Sequence, residues 1–542
     1  MENKTIKFDR RNFLGGVATA TAGFALLPGN AAGEIDTNEP GGPAKLPQDN
    51  SWPIFNVCNF GAVGDGVALN TAAIQSAIDS CNNKGGGTVF FPPGNFVSGT
   101  IQIKSNVNLY LSAGATVWGS KSRGDYRRGG LVYAEDARNI SITGSGTFDG
   151  NGRYFFGTSP NQGHGGAAAR PQTWKPGNLM TLLRCNNVLL KDFTVANSTE
   201  WTIHPIDCER VTIAGVSILN EDGHNTDGID PDGCSKVRIS DCYLRCGDDA
   251  IVLKITDRPG GNKVCRDIVV TNCVLQTPET GLKIGTETCG EFRNITFSNC
   301  AVFDSGGGFG LIMRDGGLID GMVVSNVTVD CDKNRGQGIY IWSHRRNDNT
   351  PWGMIRNVTI SDMEIRGGGG IFVSGAMEKR IEGLTLQNIR VNVVEGRNTK
   401  FNDDPPDPFT VFGHKEAPYD VFCRYVDDLK LRNIQLIWSK PENAKWGGAL
   451  RCWHVRDLEI AGFIGRQSLP SASPVIGLKD AKGVFIHNCR APEGTGTVLH
   501  LDEGTERVTV MGNEFSRAKK LYVLGAGVDA MELFEAGNRL PT

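Results

Sequence analysis

An all-β fold wound as a parallel β-helix is what this sequence predicts, on three observations. A nine-residue pattern returns along the chain: a polar residue, β-formers around another residue, a small polar corner, then β-formers again. Its copies begin at Asn187, Arg210, Lys236, Asp267, Asn294, Gly321, Asn357, Gly383 and Asp428, at intervals from the low twenties into the forties, and again at Arg507. Each copy reads as strand, bend and second strand, with apolar residues alternating inward. Such a unit cannot bury its apolar face alone, whereas stacked units bury a continuous core. The composition agrees, since 70 glycines and only 8% aromatic residues favour many turns and thin layers. The cysteines supply the third observation. Cys242, Cys273 and Cys300 hold one place in three successive copies, and Cys185, Cys208, Cys234 and Cys265 each stand just before one. Equivalent positions stack, so these read as ladders of buried thiols behaving as small hydrophobes.

Taken in order, residues 1–32 read as a twin-arginine export signal. Arg10-Arg11 precedes an apolar stretch from Phe13 to Leu27, and Gly29-Asn30-Ala31-Ala32 offers a cleavage region. The apolar stretch is short and rich in Gly, Ala and Thr, too weak to span a membrane well. The expected location is therefore periplasmic or secreted, with no membrane association after signal removal. Residues 33–52 read as a linker, and 53–120 as an N-terminal cap with the first coils. Within them Thr71–Asn82 is helical in period, with Ile74, Ile78 and Cys81 on one face, Asn70 placed to cap it and Gly85-Gly86-Gly87 to end it. Residues 121–542 carry the remaining β-helix. Two long loops interrupt the rhythm, near 154–177 and 398–419. The first holds Tyr154, Phe155, Phe156 and Trp174, aromatics suited either to stacking on a sugar ring or to packing as a lid.

The 542 residues would ordinarily suggest about three or four domains. A repeat architecture removes that inference, because it grows along one axis. A formal charge of −3 argues against a nucleic-acid partner, for which a basic footprint is expected. No close Cys-x-x-Cys pair occurs, and neither a metal nor a cofactor is implied.

The chemistry concentrates in two motifs. Asn225-Thr226-Asp227-Gly228-Ile229-Asp230 is followed by Gly247-Asp248-Asp249, 21 and 22 residues after Asp227. In a chain that coils about every two dozen residues, that spacing sets three carboxylates side by side on neighbouring turns. Carboxylates so close cannot all ionise freely, so one is raised and can protonate a leaving oxygen, while its ionised neighbours deprotonate a water. Inverting glycoside hydrolysis needs those two roles. Turn chemistry at solenoid corners would produce the same motifs without catalysis.

With these residues in place, the chain resembles the polygalacturonase family of glycoside hydrolases (family 28), as a divergent bacterial member. The resemblance runs from about Phe55 to Asp330. It rests on Phe60–Gly66, Gly146–Gly152, Asn197–Pro205, Asn225–Asp232 and Gly247–Lys254 together. It implies a right-handed parallel β-helix of the pectin-lyase-like kind, with Asp248 as general acid and Asp227 and Asp249 holding and activating the water. Asn225 would shape the site. Lys254 and His204 match the family, as substrate contacts or as structural groups. The sequence departs from the family on the next two coils. Thr280 stands where the family has the histidine of Gly-His-Gly. Ile312 and Arg314 stand where it has the arginine and lysine that grip the substrate carboxylate, and Lys283 adds a cation nearby.

The expected activity is hydrolysis of a pectic or related acidic polysaccharide or oligosaccharide, which is the one partner expected. Two other readings stay open: a polysaccharide lyase, with calcium held at Asp248 and Asp249 and Lys283 or Arg314 as base, and a non-catalytic glycan-binding β-helix.

Overall fold

The computed structural model describes residues 53–156, 174–220, 223–331, 337–394, 420–442 and 446–540. The expected export signal (1–32), the linker up to Trp52, residues 157–173 of the first loop and the whole of the second loop lie outside the described residues. What is described is a right-handed parallel β-helix. Every strand pairing joins one coil to the next in the parallel sense, as a right-handed solenoid requires.

The repeat explains the register. The first inward residue of each copy stacks on its equivalent, from Val188 through Val211, Val237, Ile268, Ile295, Met322 and Val358 to Leu384. The column continues to Leu429, Leu458, Val484 and Val508. All of these side chains are buried in one core cluster. Burying a side chain of this size contributes roughly 1.5–3 kcal/mol before entropy is counted, so each added coil stabilises its neighbours.

At the corners, Asn and Asp take left-handed backbone, as at Asp241 (φ 57°), Asn272 (56°), Asn299 (54°), Asn326 (54°) and Asn388 (54°). The amides then bond from coil to coil, Asn326 to Asn299 at 3.2 Å and Asn388 to Asp362 at 3.0 Å. A second left-handed column lies at the first residue of each copy, which sequence periodicity did not anticipate. Asn187, Arg210, Lys236, Asp267, Asn294, Asn357, Asp428 and Arg507 all have φ between 53° and 61°. The pairing steps over this residue, Asn186 opposing Glu209 and Val188 opposing Val211, so its side chain can turn outward whatever its type.

The cysteines stack in two columns. Cys242, Cys273 and Cys300 each donate to the carbonyl two residues back, at 3.2, 3.3 and 3.2 Å. Backbone N–H groups of Cys185 and Cys208 reach the sulfurs of Cys208 and Cys234. All fifteen cysteines are free thiols, and burial pushes Cys265 up to about 12.

The helix Thr71–Asn83 buries Ile74, Ala77, Ile78 and Cys81 against the first coils. Asn70 makes no side-chain bond to the helix N-terminus. It closes the preceding turn instead, accepting from Val63 N–H at 2.7 Å and donating to Ala68 C=O at 2.7 Å.

One sheet positions the site. It starts with Ile101–Ile103, Val132–Glu135, Met180–Leu183 and Ile203–Ile206. Bridges from Ile203 to Ile229 and from Ile229 to Ile251 carry it on. Strands Ile251–Ile255, Thr280–Thr288, Gly307–Met313 and Gln337–Ser343 follow. Isoleucines 203, 229 and 251, then Leu282 and Phe309, form its inward column, and the residues between them face outward.

Candidate active site

Asp227, Asp248 and Asp249 converge on this outward face, with carboxylate oxygens within 4.8 Å of one another. The backbone explains why. Gly228 N–H donates to Asp249 C=O at 2.9 Å, and Thr202 N–H and Oγ1 both donate to Asp227 C=O, at 3.0 and 2.6 Å. Three successive coils are thereby clamped together. Gly228 permits the approach, since a Cβ there would stand 2.4 Å from Ala250 C=O.

The three carboxylates differ in depth. Asp227 and Asp249 are 2% and 4% exposed, while Asp248 is half-buried. Burial raises Asp227 to about 7, against the opposing charge of Lys254 and with the help of Asp248 and Asp249. Burial also raises Asp248 to about 7, and the charges of Asp249 and Glu279 add to it. Asp249 is the best held. Thr280 N–H donates to its Oδ1 at 2.9 Å, and Lys283 Nζ donates to its Oδ2. Thr280 thus enters the site through its backbone and Lys283 through its ammonium.

Lys254 is buried beneath the cluster. Its Nζ lies 3.2 Å from Asp227 Oδ2, 3.3 Å from Asp230 Oδ1 and 3.7 Å from Glu287 Oε2. The Trp201 ring centre is 3.7 Å away. Asp230, Glu287 and Trp201 therefore join a site that sequence spacing had centred on three residues. Trp201 lies within the quoted Asn197–Pro205 motif, and Glu287 shares its strand with Lys283.

The other expected residues fall around this centre. His204 is buried, with Nε2 3.4 Å from Asp232 Oδ2 and Nδ1 2.7 Å from Asn178 Nδ2, and burial lowers its pKa. Its link to the cluster runs through the Trp201 ring, 4.7 Å away edge to face. Asn225 is half-buried in left-handed backbone (φ 59°) at the turn before Asp227. Arg314 stands one coil beyond Lys283, its guanidinium 5.9 Å from the Trp342 ring centre and near Arg346, Asp315 and Glu287. Ile312 packs into a buried outward stack with Tyr340, Trp342, Phe372, Phe422 and Trp453.

Of the first loop's aromatics, Phe155 and Phe156 are buried, and Phe156 packs on Gly223, where an added Cβ would meet the ring at 2.3 Å. Trp174 packs edge to face on Phe155, while Tyr154 is exposed beneath Lys121 Nζ at 5.1 Å.

Chemically, the arrangement offers one accessible carboxyl, Asp248, and two deeper ones, Asp227 and Asp249, with Asp227 and Asp248 both raised to about 7. The trio could ligate a divalent cation, but two ammonium groups already supply positive charge there, Lys283 at Asp249 and Lys254 at Asp227.

Comparison with known proteins finds likeness over this region. The model of glycosyl hydrolases family 28 matches residues 81–311. A probable polygalacturonase of Vitis vinifera is 30% identical over 222 residues, 37% of this chain and 44% of that protein. An exo-poly-alpha-D-galacturonosidase of Dickeya chrysanthemi is 27% identical over 250 residues, 36% of this chain and 41% of its own. The chain thus spans less than half the length of these curated relatives. Among solved structures, an exopolygalacturonase from Thermotoga maritima aligns with TM-score 0.53 at 23% identity, over 63% of this chain and 88% of that one. A family 28 exopolygalacturonase from Yersinia enterocolitica gives 0.52 at 22%, over 80% and 78%. At that identity the two structures speak for the fold alone.

Proposed function

We propose, from the premise that this chain belongs to glycosyl hydrolases family 28 through residues 81–311, that it hydrolyses glycosidic bonds of an acidic polysaccharide or its oligosaccharides by an inverting mechanism. The carrying observation is the difference in depth among the three aspartates. Asp248 is half-buried and held protonated near neutrality, so it protonates the leaving oxygen. Asp227 and Asp249 hold and deprotonate the water.

Separation alone would argue the other way. Retaining pairs stand about 5–5.5 Å apart and inverting pairs about 6.5–9.5 Å, whereas these oxygens lie within 4.8 Å. Accessibility favours inversion. Asp249 has both oxygens engaged, and Asp227 has Oδ2 on Lys254 and Oδ1 sealed from solvent. Carboxylates so deep and so engaged are poor nucleophiles toward an anomeric carbon, which favours their acting through a small water molecule.

An acidic sugar is favoured by the cations on the following coils, Lys283 and Arg314, and by the polygalacturonase names of the relatives. The departures at Thr280 and Ile312 favour an uncommon linkage such as a rhamnogalacturonan. The twin-arginine segment extends the proposal to export, which fractionation of cells producing the full chain tests.

The deciding experiment incubates purified protein with a panel of pectic and algal polysaccharides. Release of reducing ends with inverted product anomers, followed by NMR, is expected. Calcium-dependent ultraviolet absorbance from an unsaturated product would replace hydrolysis by elimination, and retained anomers would overturn the mechanism.

A further inference from the structure

Asp230 is an acid that the proposed reaction leaves unused. It is fully buried, and neither of its oxygens has a hydrogen-bond partner, although Lys254 Nζ lies 3.3 Å from Oδ1. Asp227 Oδ1 is likewise buried without a partner. One ammonium thus serves two deep aspartates, with Glu287 at 3.7 Å as a third, more exposed neighbour. A side chain placed only for stability would be expected to satisfy these oxygens, because leaving a buried polar atom unpaired is costly. Here the strand Ile251–Ile255 sends Lys254 under the preceding turn, and the Trp201 ring closes over its other side at 3.7 Å. The ammonium is confined between an aromatic face and carboxylates, its side chain only 5% exposed.

Resting on the hydrolytic reading above, we propose that Lys254 is a positioning residue that aims Asp227 at the water and favours its ionised form, and that Asp230 competes for the same ammonium and so sets how firmly Asp227 is held. Lys254 does not touch substrate. The charged groups that face this pair come from four coils. Trp201 and His204 stand on the first, and Asp227 and Asp230 on the second. Asp248, Asp249 and Lys254 itself lie on the third. Lys283 and Glu287 lie on the fourth, and Arg346 stands 3.5 Å from Glu287. Removing the Lys254 charge destabilises the Asp227 carboxylate, so more alkali is needed to ionise the base. Burial holds the Asp230 carboxyl well above its ordinary value, and removing that carboxyl frees Lys254 Nζ for Asp227 and does the reverse.

The test is the pH profile of kcat/KM on whichever polysaccharide the wild-type chain cleaves, with circular dichroism and melting temperature as folding controls. Lys254→Met should lower kcat/KM by roughly tenfold or more at mildly acidic pH and move the ascending limb up by about one pH unit. Lys254→Arg, which keeps the charge, should return most of that shift. Asp230→Asn should move the limb down. A Lys254→Met limb that coincides with wild type, or two variants that shift the limb in the same direction, overturns the proposal. Should Lys254→Met fail to fold, Asp230→Asn decides: a lower limb supports the pairing and an unmoved or higher one removes it. A wild-type chain that releases no reducing ends removes the hydrolytic reading instead, whatever the variants do.

Discussion

Lys283 Nζ and Asp249 Oδ2 form an ion pair between neighbouring coils, and the strand that carries Lys283 also donates Thr280 N–H to the other oxygen of Asp249 at 2.9 Å. A carboxylate with both oxygens engaged keeps its direction. Asp249 is thereby the fixed member of the trio, against which a water can be oriented while Asp248 changes protonation.

Replacing Lys283 by Met should therefore cost the reaction. The expected fall in kcat is about 10–100-fold, with Lys283→Arg intermediate, measured as initial rates of reducing-end release. Equal kcat with only a raised KM would place Lys283 on the substrate rather than on Asp249.

Asp248→Asn removes the proton donor while preserving shape. Turnover should fall about 10²–10⁴-fold, with oligosaccharide binding by calorimetry retained. The pH profile carries the same signature. Asp248 works as an acid, so the rate should decline as pH rises through about 7, where burial has set its proton. A rate still climbing well above that pH would exclude Asp248 as the donor.

Asp420 offers a stability test away from the chemistry. It is buried, and burial raises it to about 7, while a backbone bond from Gly370 opposes the shift. Its folded pKa exceeds its unfolded value of 3.8. The contribution is therefore fully present below about 4 and is lost as pH rises through about 7. Asp420→Asn should melt near wild type at pH 5 and about 2 °C or more above it at pH 8. Equal melting temperatures at pH 8 would mean that the carboxyl does not pay for its burial.

The corner asparagines make a backbone prediction. Asn299 has φ 54° and receives the Asn326 amide at 3.2 Å. Asn299→Ala should destabilise by about 1–2 kcal/mol, whereas Asn299→Gly should recover much of the backbone cost. The check is the denaturant midpoint at constant m. Equal midpoints for the two variants would locate the role of Asn299 in its side chain alone.

Much of the architecture was legible because it is written at short range. Alternating β-formers give the inward columns, Asn and Asp give the corners, and cysteines at equivalent places give the thiol stacks. The second left-handed column escaped because its residue type varies, Arg210, Lys236 and Arg507 standing where other copies have Asn or Asp, and the stepped pairing imposes the backbone whatever the type. Around the site, the aspartates could be paired because their motifs lie one coil apart. The placement of Asp230, Trp201 and Glu287 about Lys254 could not. It depends on which outward side chain is long enough to reach under a neighbouring turn, and coil spacing does not record that. The same holds for the stack from Ile312 to Trp453, whose members lie on coils separated by irregular intervals.

The coil-to-coil clamps have a mechanical consequence. Thr202, Asp227 and Asp249 are joined by bonds running along the solenoid axis, and each coil leans only on its neighbours. A stack of this kind frays from its tips, where a terminal strand such as Leu533–Ala536 pairs on one side only. Coils flank the aspartates on both sides, so fraying from either tip must cross several coils before it reaches the acid cluster. Partial melting would then shorten the rod while its reactive segment stays assembled.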